Sequence, residues 1–348
     1  SAVCRCMPLL AIETTCDETA AAVVTQSRAV LSSVVASQEQ LHARWHGVVP
    51  EVASRAHVER IVPVIDEAIE RSGVSRDALE AVAVAVRPGL VGSLLVGISA
   101  AKMIAVAMEK PLVGYDHIAA HLYACRLAAP ERMRYPCVGV VASGGHTSLL
   151  HVTSPLELER LGGTIDDAIG EAFDKASSLL GLGYPGGPAI ELAAKDGDSR
   201  RFRFPRPLSR DRNTLDMSFS GLKTALRYQV RPPGAAADTP PPTGQLLADL
   251  AASFQQAAVD TVMAKVRLAV EQTGCDLVAV GGGVTANTLL RETLTAYAKD
   301  ARLELVLPPR ELCTDNAAMG AIAWERIERG EQDSLDLEVV PGLIRGSR

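Results

Sequence analysis

Along residues 9–24, LLAIETTCDETAAAVV, an apolar run breaks at a polar turn and then resumes. That pattern predicts strand, turn, strand. Residues 137–152, CVGVVASGGHTSLLHV, repeat the plan around a glycine turn. A longer pattern also recurs. AVAVAVRPGLVGSLLVGISAAKMIAVAMEKPLVGYD runs strand, glycine loop, helix, strand, and DLVAVGGGVTANTLLRETLTAYAKDARLELVLPP does the same from Asp276. Units of this kind resemble one another by chance, but two echoes in the same order predict duplicated α/β lobes facing a cleft.

The first lobe is expected over residues 1–130, joined by a returning helix near 311–330 that contains DNAAMGAIAWERIERG. The second is expected over 131–310, with a helical insertion. Residues 50–72 and 245–272 carry apolar positions at helical spacing and predict packing helices, the second stopped by glycine. RPPGAAADTPPPTG, 231–244, predicts a flexible surface loop. Beyond residue 330 the pattern supports only a short strand or loop.

Composition changes this picture little. The chain has 348 residues, 47% of them hydrophobic, enough for two large cores. No stretch reaches the roughly 18–20 apolar residues of a membrane span, so no membrane association is expected. The opening SAVCRCMPLLAIETT enters a strand directly and is read as carrying no signal peptide. Seven scattered cysteines do not form a disulfide framework, and Cys4 and Cys6 stand too close for a zinc knuckle. A reducing cytoplasm is the expected location. Net charge is −6, which argues against nucleic-acid binding by the molecule as a whole. Locally, nine basic residues between Arg200 and Arg231 face only Asp211 and Asp216, either a solvated loop or a patch for a phosphate backbone. With 4% aromatic residues, a broad base-stacking platform is not expected.

Five stretches carry chemistry. DHIAAH places His117 and His121 one helical turn apart on one face, within reach of one ion. Ile118 stands where a metallopeptidase HExxH motif would have its glutamate. CTDNAAMGAIAW offers Asp315 either as a helix cap or as a carboxylate completing a two-histidine set suited to Fe(II), Zn or Mn. ASGGHTS and GGGVTANTLLR are glycine turns whose backbone N–H groups could cradle phosphate, the second at a helix start that would welcome an anion. Neither fits a P-loop or a dinucleotide fingerprint. ETTCDET puts Glu13, Asp17 and Glu18 around the first turn. Asp17 or Glu18 is expected to face the cleft, with solvation the ordinary alternative for the others.

Taken together, IETTCDETAAAVV, HGVVPEVASRAHVERIVPVI, RPGLVGSLLVG, HIAAHLYA, ASGGHTSLL, TIDDAIGEAFDKASSLLGLGYPGGP, RFPRPL, MSFSGLKTA, GGGVTANTLLR and CTDNAAMGAIA resemble one family across residues 9–325. It is the tRNA N6-adenosine threonylcarbamoyltransferases, in their bacterial form. The resemblance implies the two-lobed actin, hexokinase and Hsp70 ATPase-like fold. It also implies transfer of threonylcarbamoyl from threonylcarbamoyl-AMP to N6 of adenine 37 in tRNAs reading codons that begin with A. Implied partners are tRNA, a synthase supplying the adenylate, an inactive-paralogue partner and a small ATPase. One divalent metal per subunit is implied, Fe(II) first and Zn second, on His117, His121 and Asp315. Substrate contacts map to Val141, Ala142, Ser143, Gly144, Gly145, Asp174, Gly187, Glu191 and Asn287. Asp17 and Glu18 map to acids needed for activity, while Lys175 and Lys223 either steer tRNA phosphates or pair with surface acids.

Three departures stand out. Arg87 replaces the first glycine of the family's GPGL, and HIAAH lacks the acid of HMEGH. The lead-in SAVCRCMP is also unlike the family's usual start. Rival readings are a small-molecule kinase of the same fold, a metallopeptidase, and a nucleotide-binding scaffold.

Overall fold

The computed structural model describes residues 7–234 and 240–342; Cys4, Cys6 and the centre of the 231–244 segment lie outside them. The first sheet contains β1 (Pro8–Glu13), β2 (Glu18–Thr25), β3 (Val30–Ser37), β4 (Ala81–Arg87) and β5 (Leu112–Asp116), ordered β3-β2-β1-β4-β5. The second contains β6 (Cys137–Ala142), β7 (Thr147–Ser154), β8 (Glu157–Gly163), β9 (Leu277–Gly281) and β10 (Glu304–Val306), ordered β10-β9-β6-β7-β8. Each begins as an antiparallel meander and adds two parallel strands across its first strand. The two sheets therefore share one topology, as the two echoes predict. β1, β6 and β9 are buried along their whole length, which is why they read as unbroken apolar runs. The pattern did not reveal β3 and β8, whose alternating exposure marks them as sheet edges.

Ten α-helices occur among the described residues: α1 (Glu39–His42), α2 (Pro50–Ser72), α3 (Val91–Ala107), α4 (His117–Ala128), α5 (Ile169–Leu179), α6 (Gly186–Ala193), α7 (Ser220–Val230), α8 (Gly244–Thr273), α9 (Thr288–Ala301) and α10 (Ala323–Ile327). α2 begins with proline in its first turn, and both α2 and α8 end on left-handed glycines, Gly73 and Gly274. α2 and α3 cover one face of the first sheet through Ile61, Val64, Ile65, Ile98 and Ala101. The segment Ala317–Ile322 and Trp324 cover the other face, with Trp324 Nε1 donating to the Val24 carbonyl at 3.2 Å.

α4 lies between the sheets. Ala119, Ala120 and Tyr123 pack into the first core, whereas Ile118, Leu122 and Cys125 pack with Val141, Leu277 and Ala279 of the second sheet. Its residues 117–125 are all buried, so whatever its histidines hold is held where the lobes meet. Gly281 makes this approach possible, since a Cβ there would stand 2.4 Å from the His121 carbonyl oxygen. α8 fills the second core, as its helical spacing predicts. Its Lys265 is buried and donates to the carbonyls of Asp211 (2.6 Å) and Thr214 (2.7 Å), pinning the basic segment to the lobe. No helix among the described residues is long and apolar enough to cross a membrane.

Candidate active site

A cavity of about 770 Å³ opens between the lobes. Its walls come from the turns that follow strands: Thr15–Glu18 after β1, Gly89 and Leu90 after β4, and His117 after β5. In the second lobe they are Ser143–His146 after β6, Gly283–Asn287 after β9, and Arg310–Asp315 after β10. Ligands of open α/β sheets settle at such strand ends, and the volume suits a nucleotide-sized molecule.

His117, His121 and Asp315 meet here, with one ligand atom from each lying within 4.8 Å of the others. His117 Nε2 is 3.7 Å and His121 Nε2 3.1 Å from Asp315 Oδ1. Both nitrogens of His121 are buried without a well-aligned hydrogen bond, although Nε2 stands 3.1 Å from the Asp315 carboxylate, and an ion between the two would take its lone pair. Two imidazoles and a carboxylate therefore fit a divalent ion. Asp315 does not cap the helical segment behind it; Asn316 does, accepting from Met319 N at 3.3 Å, which leaves Asp315 for the cleft. Burial opposes charge on His117, but Glu13 and Asp315 outweigh it and raise the imidazole to about 9. Burial would raise Asp315 too, yet His117 and His121 hold its carboxyl well below the usual range.

Glu13 corrects the solvated reading. It is fully buried, accepting from Thr15 N at 2.8 Å and lying 3.1 Å from His117 Nδ1. A carboxylate behind a ligating histidine fixes the ring and raises its basicity. The acid behind His117 thus comes from β1 and not from within HIAAH. Arg87 points outward and pairs with Asp116 (3.0 Å), the residue whose side chain caps α4. Gly89 remains necessary, because a Cβ there would meet the Thr15 carbonyl oxygen at 2.7 Å.

Asp17 and Glu18 both reach the cavity, with Tyr184 Oη donating to Asp17 Oδ2 at 3.5 Å. Burial, reinforced by Asp17 and Asp315, pushes the Glu18 carboxyl well above the carboxylate range. Burial and Asp17 do the same to the neighbouring Cys16, leaving it a thiol and no nucleophile.

Ser143, Gly144, Gly145, Asp174, Gly187, Glu191 and Asn287 line the cavity; Val141 and Ala142 remain buried in β6, off its wall. The glycine turn before α9 does not present a free helix start. Asn287 Oδ1 caps it by accepting from Leu290 N, and Glu191 accepts from Thr288 N (3.3 Å) and Thr288 Oγ1 (2.6 Å). Asn287 Nδ2 is engaged by Gln255 (2.9 Å) and Glu191 (3.1 Å). These two residues shape the wall by bonding to each other. Lys175 and Lys223 both pair with Asp167, at 2.8 and 3.3 Å, the surface-pairing alternative. The sequence did not single out His146, Glu39, Tyr184 or Arg310, all on the cavity wall. Of these, only His146 lies inside a stretch chosen for its chemistry. Burial pushes its imidazole down to about 3, with His117 and His121 adding to the shift.

Burial pushes Asp174 from its ordinary 3.8 up to about 6, against the Gly186 N–H bond and helped by Asp17. Between those values the unfolded chain has lost the proton that the folded chain keeps, so this group lowers stability as pH rises through that window. The Asp174→Asn chain is expected to lose that slope, read as unfolding midpoints of both chains from about pH 4 to 6.5.

The family model for tRNA N6-adenosine threonylcarbamoyltransferase matches residues 29–322. A protein of that name from Rhodopirellula baltica is 49% identical over 97% of both chains. Another from Anaeromyxobacter dehalogenans is 49% identical over 96% of this chain and 98% of its own. Among solved structures, component A of Acidaminococcus fermentans (R)-2-hydroxyglutaryl-CoA dehydratase superposes with a TM-score of 0.54 at 11% identity, covering 91% of this chain and 97% of that one. Full-length HypF gives 0.55 at 12% identity, over 91% of this chain and 54% of that one. At such identities these two speak for the fold alone, the two-lobed ATPase-like architecture. The sequence matches go further: the chain belongs to the tRNA N6-adenosine threonylcarbamoyltransferase family.

Proposed function

We propose that this chain transfers the threonylcarbamoyl group from threonylcarbamoyl-AMP to N6 of adenosine 37 in tRNAs reading codons that begin with A. The observation that carries the reading is the meeting of His117, His121 and Asp315 at the strand-end cavity of a chain matched by this family. The three residues would hold one divalent ion; their donors suit Fe(II), Zn or Mn, and the family resemblance favours Fe(II) first and Zn second. Bound there, such an ion supplies Lewis-acid polarisation and neutralises charge on an anionic oxygen.

The chain's own residues do the rest. Gly144 and Gly145 have nothing within 4 Å of where a Cβ would stand, so a ligand can approach the backbone of that turn. The adenine amine forms the new C–N bond, and AMP leaves with the electron pair of the broken C–O bond. Asp17 or Glu18, both on the cavity wall, is the acceptor for the amine proton. No covalent intermediate with the protein is needed. An adenine in a single-stranded loop reaches the cleft at less cost than one stacked in a duplex. Arg200, Arg201, Arg203 and Arg210 are exposed and form no ion pair among the described residues, which suits contact with tRNA phosphates. The adenylate synthase, the paralogue partner, the small ATPase and a cytoplasmic location belong to the same proposal. A small-molecule kinase would use this fold equally well, but the family match favours transfer.

The test supplies the chain and its partners with synthase, threonine, bicarbonate, ATP and tRNA transcripts bearing adenosine or guanosine at position 37. Mass analysis of the nucleosides should find threonylcarbamoyladenosine in the first transcript alone. Its absence with every component present refutes the reading.

A further inference from the structure

His146 ends the tight turn between β6 and β7. Its N–H donates to Ser143 Oγ at 3.1 Å, and its carbonyl accepts from Ser143 N at 2.8 Å. These bonds anchor its backbone while the side chain contributes to the cavity wall. The ring centroid lies 6.0 Å from that of His117. His146 Nε2 is buried and bonds to no protein atom. A buried imidazole nitrogen with no protein partner calls for a complement, and an atom in the adjoining cavity supplies one.

Two occupants compete for that nitrogen. An ion held as a fourth ligand is one, but His146 falls outside the group whose ligand atoms lie within 4.8 Å of one another. The other is an atom of the substrate beside the ion site. His146 shares the cavity wall with His117 and Asp315, its ring 6.0 Å from that of His117, so that atom sits at the reacting end of the cavity. An imidazole has one nitrogen to donate, and the oxygen that gains charge there during acyl transfer is the carbonyl oxygen.

Resting on the transfer reading of this cavity, we propose that His146 Nε2–H donates a hydrogen bond to the carbonyl oxygen of the threonylcarbamoyl group and stabilises its charge in the transition state. As the amine adds, the carbonyl pair moves onto that oxygen. When the pair returns, the C–O bond to phosphate breaks and AMP departs with its electrons. His146 keeps its proton throughout, so it is a hydrogen-bond donor and no base.

The experiment compares wild type, His146→Ala and His146→Gln in the reconstituted transfer reaction, with calorimetric titration of each chain by Zn(II) alone. Both variants should bind one ion with wild-type affinity. The alanine chain should lose about 100-fold in kcat, as when one oxyanion donor is removed. The glutamine chain, which retains an N–H, should lose roughly tenfold or less, with KM for the adenylate within about threefold in both. Loss of the ion from either variant, equal losses in both, or wild-type kcat in the alanine chain overturns the proposal. If the wild type itself transfers nothing while still binding Zn(II), the transfer reading fails and takes this assignment with it.

Discussion

A His117→Ala chain is expected to lose its ion and about 10³-fold or more of its transfer rate. The ligands converge from separate elements: two from the first turns of α4, one from the segment following β10. Removing one leaves His121 and Asp315, 3.1 Å apart, with a single imidazole and a carboxylate to bind an ion that wants more donors. Several kcal/mol of charge stabilisation then disappear from the transition state. Asp315→Asn provides a companion that keeps the side-chain shape and removes the charge. Elemental analysis of the purified chains and rates of nucleoside formation check both. Full activity together with undisturbed metal content in His117→Ala would remove that residue from the mechanism.

The second large effect falls on Glu13, whose two carboxylate oxygens have different duties. Oε1 accepts from Thr15 N, and Oε2 lies 3.1 Å from His117 Nδ1 and 3.4 Å from Tyr115 Oη. Alanine there removes one member of a buried charged pair and leaves the Thr15 N–H without its acceptor. A loss of about 3–5 kcal/mol of folding stability is expected, measured by denaturant unfolding. Glutamine keeps the volume and one acceptor but lacks the charge that steadies His117. That chain should fold, and bind Zn(II) about 10–100-fold more weakly. A Glu13→Gln chain with unchanged metal affinity would show that the carboxylate behind His117 does not tune the site.

The duplicated lobes were legible because both echoes lie in buried strands, where the chain must be apolar without interruption, and in glycine turns that need close backbone approach. β3 and β8 were not, since VLSSVVAS and ELERLGG face solvent on alternate residues and blend with loops. The histidine pair could be read from its spacing on one helix. Glu13 could not: its partner His117 is 104 residues away, and a carboxylate at the end of an apolar run looks like the start of a polar turn. Asp315 and Asn316 are equally good caps by residue type, and tertiary packing decides that Asn316 caps while Asp315 faces the histidines. The same limit applies to GGGVTANTLLR. Its helix start looks ready for an anion until Glu191, distant in sequence, occupies Thr288 N. His146 was hidden by lying at the end of a turn whose glycines already explained its pattern.

Everything proposed for the cavity rests on this chain moving an acyl group from an adenylate to a tRNA base. Its most direct test is a single turnover from pre-formed threonylcarbamoyl-AMP, isotopically labelled in the threonine, with the metal-loaded chain, its partners and tRNA, and no synthase. Label is expected on adenosine 37, with one AMP released per group transferred. AMP released with no label on the tRNA, or label on tRNA lacking that adenosine, would contradict it.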